Sequence, residues 1–212
     1  MTTDAGGPDN PFDALAGVWD DDPEKLERAR VVAAAIRART TGGGVWLDYG
    51  AGTGALGLAL LGHADAVVLA DSSAGMVQAA RAKVDASGLG ERVEVVELDL
   101  SRDADLQGEY DAVVSLLALH HIDQVDEVVK RLTAMLRPGG WLALSDLDAE
   151  DGSFHGHHHG VRPAHHGFSR DQLRAWLNQA GLVDIDVSTP WVNVKEGRDY
   201  PLFLAVGRKP PH

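Results

Sequence analysis

Five short apolar runs, Val45–Tyr49, Ala66–Ala70, Val93–Leu98, Tyr110–Leu116 and Trp141–Ser145, alternate with stretches of helical pattern. Runs so uniformly apolar suit strands covered on both faces. Strand–helix–strand order then suits parallel pairing through right-handed crossovers. The intervening helices are read at 24–39, Ala55–Leu61, Ser73–Ala86 and Val125–Leu136. Asp22 and Pro23 start the first as N-cap and N1; Gly42-Gly43-Gly44 stops it, Gly88 closes the third, and Pro138-Gly139-Gly140 closes the fourth. A further helix at 170–180 follows Ser169 and stops at Gly181. Val183–Ser188 and Leu202–Val206 have no helix between them, so they are expected to pair antiparallel at the edge far from the third strand.

Bulk composition limits what such a sheet can serve. The chain has 212 residues, 44% hydrophobic and 24% charged, enough for one α/β domain with small additions. Its formal charge is −13, which disfavours a nucleic-acid duplex or an anionic membrane as main partner. There is no cysteine, so thiolate chemistry is excluded, and a reducing, cytoplasmic setting is expected. Residues 1–11 read as a disordered N-terminus without a signal-peptide pattern. Residues 12–40 read as a flap and helix, and 41–212 as the main domain with a His-rich lid at 148–167.

In a doubly wound sheet, ligands lie beyond the carboxyl ends of the strands. Asp48, Asp71, Asp99 and Asp146 stand at or near four of those ends and should crowd one rim. Between them, Gly50, Gly52 and Gly54 allow close backbone approach and positive φ. Two cofactor classes fit. Gly52-Thr53-Gly54-Ala55-Leu56-Gly57 matches a dinucleotide pattern, with Asp71 as the following acid. S-adenosylmethionine fits as well, and Asp48 favours it: a carboxylate there repels a pyrophosphate but attracts an ammonium or sulfonium.

Asp48-Tyr49-Gly50-Ala51-Gly52-Thr53-Gly54, with its leading strand and an acid ending the next strand, resembles the signature of class I S-adenosylmethionine-dependent methyltransferases, the small bacterial type that act on small molecules. The resemblance covers roughly 12–207. It implies a Rossmann-like, doubly wound, seven-stranded mixed sheet with the last strand antiparallel and helices on both faces. It implies S-adenosyl-L-methionine as cofactor. Gly50, Ala51, Gly52 and Gly54 would line its methionine part beside Asp48. Asp71 would accept from the ribose hydroxyls, Ser72 and Met76 would flank the adenine, and Asp99 with the Leu100 N–H would meet the adenine edge. Leu116 and Leu117 would border the sulfonium. The stretch Phe12–Asp20 is similar to the family's flap, with Trp19 at the pocket mouth; a plain docking turn is the alternative.

Two groups of histidines remain. The Leu119-His120-His121 stretch resembles one that follows the fourth strand in many small-molecule members, and either imidazole has the pKa range of a general base. The second group is His155, His157, His158, His159, His165 and His166. Three readings stay open: a solvated lid, a pocket lid whose His165 or His166 meets the acceptor, or a metal site. The spacing matches no standard zinc template, so no metal ligand is assigned. The candidate catalytic residues are therefore His120, His121, His165 and His166, with Asp146, Asp148 or Glu150 as second choice. The expected activity is methyl transfer to a small-molecule acceptor by in-line displacement, in a monomer or homodimer, without nucleic-acid or membrane partners. The alternatives are a nicotinamide-dependent oxidoreductase and a non-enzymatic His-rich metal-binding protein.

Overall fold

The computed structural model describes residues 10–101, 108–155 and 161–211. A 3-10 helix over Asp13–Asp21 leads into α1 (Pro23–Arg37), then β1 (Val45–Tyr49), α2 (Ala55–Leu60), β2 (Ala66–Asp71) and α3 (Ala74–Ala86). There follow β3 (Val93–Glu97), β4 (Tyr110–Leu116), a short 3-10 helix at Leu119–His121, and α4 (Val125–Ala134). The chain ends with β5 (Leu136–Leu147), α5 (Arg170–Gln179), β6 (Val183–Lys195) and β7 (Arg198–Arg208). The strands form one seven-stranded sheet in the order β3-β2-β1-β4-β5-β7-β6. β7 alone runs against its neighbours β5 and β6, as expected from the missing crossover helix.

Alternation along each strand divides the core between the two faces. Trp46, Val67, Leu69 and Val114 point to the face carrying Ile36 of α1, Leu60 of α2 and Val84 of α3. Leu47, Val68, Val113 and Leu142 point to the face carrying Leu132 of α4 and Leu177 of α5. Three of the helix starts are capped by the residues that the sequence offers. Asp22 accepts the Glu24 N–H, Ser73 that of Met76, and Ser169 that of Gln172.

Three boundaries differ from the sequence reading. Helix α4 ends at Ala134, and Pro138-Gly139-Gly140 lies inside β5 at a register shift against β4. A proline is tolerated there because the bulge asks nothing of its missing N–H. Asp146 consequently sits within β5 rather than at its end. The final hairpin is also longer than expected. Pro190 falls at a register shift in β6 rather than ending it. Glu196 and Gly197, at φ 51° and 75°, then make the tight turn into β7.

Candidate functional site

Beyond the carboxyl ends of β1, β2 and β4 lies a cavity of about 1510 Å³. Single small-ligand pockets run to about 300–1,000 Å³, so this space accommodates two ligands side by side. One end is built by the glycine turn. The Gly50 N–H donates to Ala70 O at 2.8 Å, and a Cβ added to Gly50 would lie 2.3 Å from the Ala118 Cβ. Gly52, at φ +55°, lines the cavity and donates its N–H to Asp71 Oδ2 at 2.7 Å. Gly54 is different. It does not line the cavity, and a Cβ there would meet Leu69 Cδ1 at 2.6 Å, so it serves the packing of α2 on β2.

The acids behave unequally. Asp48 is 1% exposed and takes the Gly57 N–H at 2.8 Å on Oδ2, while its Oδ1 is buried with no hydrogen-bond partner among the described residues. Burial pushes this carboxyl up to about 7, with the nearby Asp71 adding to the rise. Asp71 accepts from the N–H groups of Gly52 and Ser73, and burial raises its pKa. Two backbone bonds leave a carboxylate with lone pairs to spare, so Asp71 shapes the turn and still faces the cavity. Asp99 accepts from the N–H and hydroxyl of Ser101 and lines the cavity with Leu100, Ser72, Met76 and Leu116. Leu117 borders the same space in the left-handed region, at φ 54°, with its N–H on Ser145 O. That strain in a bulky residue sits where β4 leaves the sheet beside the cavity.

The N-terminal segment covers this end. Asp13 Oδ1 accepts from the Ser73 hydroxyl at 2.6 Å and from the Gly75 N–H at 2.9 Å, and these bonds hold its carboxyl below the usual range. Asp20 accepts from the Thr53 hydroxyl at 2.7 Å and pairs with Lys83 at 2.6 Å. Phe12 and Trp19 thereby stand half-buried on the cavity wall, edge to face at 5.9 Å.

The other end holds the histidines. His120 is buried, and its Nδ1 meets Asp146 Oδ1 at 2.7 Å, so Nε2 is the nitrogen left for a ligand. The His121 ring lies tilted at 4.0 Å from the His120 ring, and burial with the neighbouring imidazoles pushes its pKa down to about 3. His155 joins them at 4.9 Å from His120, with burial pushing its pKa down to about 4. His165 and His166 are not brought to the cavity. His165 Nε2 bonds Ile122 O at 2.9 Å, tying the lid to the segment after β4, and His166 is 57% exposed beside Glu150. His157, His158 and His159 lie outside the described residues, as do residues 1–9 of the N-terminal segment.

Three cations stand on the cavity wall beside two acids, Asp22 and Glu24. Lys25 lies 3.7 Å over the Trp19 ring, Arg28 donates to Asn193 Oδ1 at 2.9 Å, and Lys195 lies 3.8 Å over the Phe154 ring. Burial lowers the pKa of all three. The Nε of Arg28 is buried with no partner among the described residues. Sequence reading missed this group. Lys25 and Arg28 look like the polar face of α1, although their i, i+3 spacing does put them side by side. Lys195 comes from a strand that the sequence reading ended too early.

A seven-stranded mixed sheet, a glycine turn backed by acids, and a large cavity at the carboxyl ends of the strands fit a Rossmann-like methyltransferase architecture. Residues 20–187 match the family described as "Methyltransferase domain". The chain is 31% identical over 216 residues to the ubiquinone biosynthesis O-methyltransferase of Xanthomonas axonopodis pv. citri, covering 90% of this chain and 80% of that protein. It is 30% identical over 155 residues to the uncharacterized methyltransferase C1347.09 of Schizosaccharomyces pombe, covering 66% of this chain and 54% of that protein. This chain therefore spans about half the length of the fission-yeast relative. In fold, it is similar to Haemonchus contortus phosphoethanolamine N-methyltransferase 2, solved with S-adenosyl-L-methionine. The TM-score is 0.68 at 17% identity, over 84% of this chain and 52% of that one. The chain belongs to the class I S-adenosylmethionine-dependent methyltransferase family. That membership sets aside both the nicotinamide oxidoreductase and the non-enzymatic alternatives.

Proposed function

We propose that this chain binds S-adenosyl-L-methionine at the glycine end of the cavity and transfers its methyl group in line to a small oxygen acceptor carrying a negative group. The bound cofactor would supply an already activated methyl, so the protein's work is to hold and orient. The observation that carries the reading is the single continuous cavity, which joins Gly52, Asp71 and Asp99 at one end to His120 and Arg28 at the other.

The residues fit the cofactor chemically. The buried, unpartnered Oδ1 of Asp48 calls for a cationic or hydrogen-bonding partner, which an amino group provides. Gly50 and Gly52 leave backbone bare beside it. Asp71 keeps acceptor capacity for a ribose diol, and Ser72, Met76, Asp99 and Leu100 surround the adenine space. At the far end, His120 is oriented by Asp146 so that Nε2 can take a proton from an acceptor hydroxyl. His121, held near 3, is too weak a base for that task. Lys25, Arg28 and Lys195 would fix an anionic group of the acceptor. The ubiquinone biosynthesis O-methyltransferase relative supports an oxygen acceptor.

Calorimetric titration with S-adenosylmethionine, S-adenosylhomocysteine and a reduced nicotinamide tests the cofactor. The first two should bind, and Asp71→Ala should weaken both by about 1–3 kcal/mol. Binding of the nicotinamide alone would overturn the reading. Among candidate acceptors, hydroxylated carboxylates or phosphates should be methylated ahead of their neutral counterparts; the reverse order would remove the cationic wall from recognition.

A further inference from the structure

We propose that His120, His121 and His155 form a binding site for one divalent transition-metal ion, of the zinc class, at the acceptor end of the cavity. Each of the three offers a ring nitrogen, and these atoms lie within 4.8 Å of one another. They come from two separate segments, the 3-10 helix after β4 and the turn that contains His155, so the cluster is a product of folding rather than of local spacing.

Several features distinguish it from histidines that merely pack. Structural imidazoles normally find a hydrogen-bond partner once buried. Here Nδ1 of His121 and Nδ1 of His155 are both buried with none among the described residues. His120 is the exception, and its one bond is of the kind that orients metal ligands: Nδ1 on a buried carboxylate, Asp146 Oδ1, at 2.7 Å, which fixes the tautomer and leaves Nε2 for an ion. The Asp146 side chain is fully buried, and its Oδ2 accepts the His120 backbone N–H at 3.2 Å, so the orienting group is itself rigid. The rings of Phe12 and Phe154 stand edge-on at 4.9 and 5.0 Å from His121 and His155 and flank the cluster on two sides. Three imidazoles with an open fourth position are the donor set of a catalytic zinc centre rather than a structural one.

Bonds of about 2.0–2.1 Å place tetrahedral ligands about 3.3 Å apart. The three nitrogens must therefore draw in by about 1 Å, and His155, on a turn rather than a strand, is the residue free to move. Lys195 acts against a cation near His155, and Asp146 acts for it. With the ion bound, Nε2 of His120 would be a ligand and no longer the base; the ion would instead lower the pKa of an acceptor hydroxyl in the open position, flanked by the same cationic wall. That role rests on the proposed methyl transfer, whereas binding of the ion does not.

Titration of the chelator-treated full chain with Co²⁺, followed by its visible d–d absorption, tests the site. One equivalent should give the intense bands of a low-coordinate nitrogen site, bleached by Zn²⁺. His155→Ala and His121→Ala should each abolish the bands, with S-adenosylhomocysteine affinity unchanged as the control for folding. Asp146→Asn should weaken the ion by about 10–100-fold, the effect of losing an orienting partner. A pale, six-coordinate spectrum in the parent chain would overturn the proposal. So would bands that survive both histidine variants, since the ion would then be held elsewhere. Loss of adenosyl-ligand binding with the bands intact would defeat the proposed methyl transfer and leave the metal site standing.

Discussion

Replacing Asp48 by Asn isolates what a buried carboxylate costs this fold and what it does for a ligand. The folded carboxyl is raised from 3.8 to about 7. Between those values the folded chain keeps a proton that the unfolded chain has lost, so stability falls as pH rises from about 4 to about 7 and is flat above. The gap corresponds to about 4 kcal/mol, an upper figure, by which the ionised form at pH 8 is less stable than the neutral one. Asparagine keeps an oxygen for the Gly57 N–H and cannot ionise. Asp48→Asn should therefore match the parent only at about pH 4 and below, already exceed it at pH 5, and exceed it by about 2–4 kcal/mol at pH 8, each kcal/mol raising the melting temperature by about 2–4 °C. Ligand binding should move the opposite way. A cationic amino group set against Asp48 would favour the ionised form, so S-adenosylhomocysteine should release a proton on binding below pH 7. Its affinity should climb about tenfold per pH unit toward 7 and then level. Calorimetry in buffers of different ionisation enthalpy reads that proton directly. In Asp48→Asn the release should vanish and binding at pH 8 should weaken. A stability gap equal at pH 5 and pH 8, or proton release that persists in the variant, would refute the reasoning.

Two other perturbations probe the cover and the turn. Asp13→Ala and Asp20→Ala should each loosen the N-terminal segment by about 1 kcal/mol, seen as faster proteolytic cleavage within 13–21. The Asp20 effect should shrink in high salt, where the Lys83 pair is already screened. Gly50→Ala should cost more than about 2 kcal/mol in a urea melt, because overpacking against Ala118 adds to a φ of +69°. The double variant with Ala118→Gly should recover only the steric part.

What was legible in the sequence was what is local. Uniformly apolar runs exposed the strands, and the Asp–x–Gly–x–Gly–x–Gly turn marked the cofactor rim because its acids and glycines are contiguous. Asp71, Met76 and Asp99 were assigned from the family resemblance that this turn carries, and all three line the cavity. Gly54 looked equivalent to Gly50 and Gly52, since nothing local reveals that Leu69 packs against it. The later strand β6 was cut short because Thr189-Pro190 reads as a stop, whereas a register shift absorbs the proline. From the histidine-rich loop the sequence reading chose His165 and His166 and passed over His155, because local sequence does not say which imidazole faces the cavity. Only tertiary contacts turn His155 inward and fasten His165 to Ile122.

The cationic wall of the proposed acceptor site is drawn from distant parts of the sequence. Lys25 and Arg28 come from the first helix, and Asn193 and Lys195 from the last hairpin, while the adenosyl-side residues all come from the central strands and their turns. If the proposed roles hold, choice of acceptor would rest on α1 and the β6–β7 hairpin, and nucleoside recognition on the central strands between them. Substitutions in α1 or the hairpin would then retune which compound is accepted without disturbing the shared cofactor machinery.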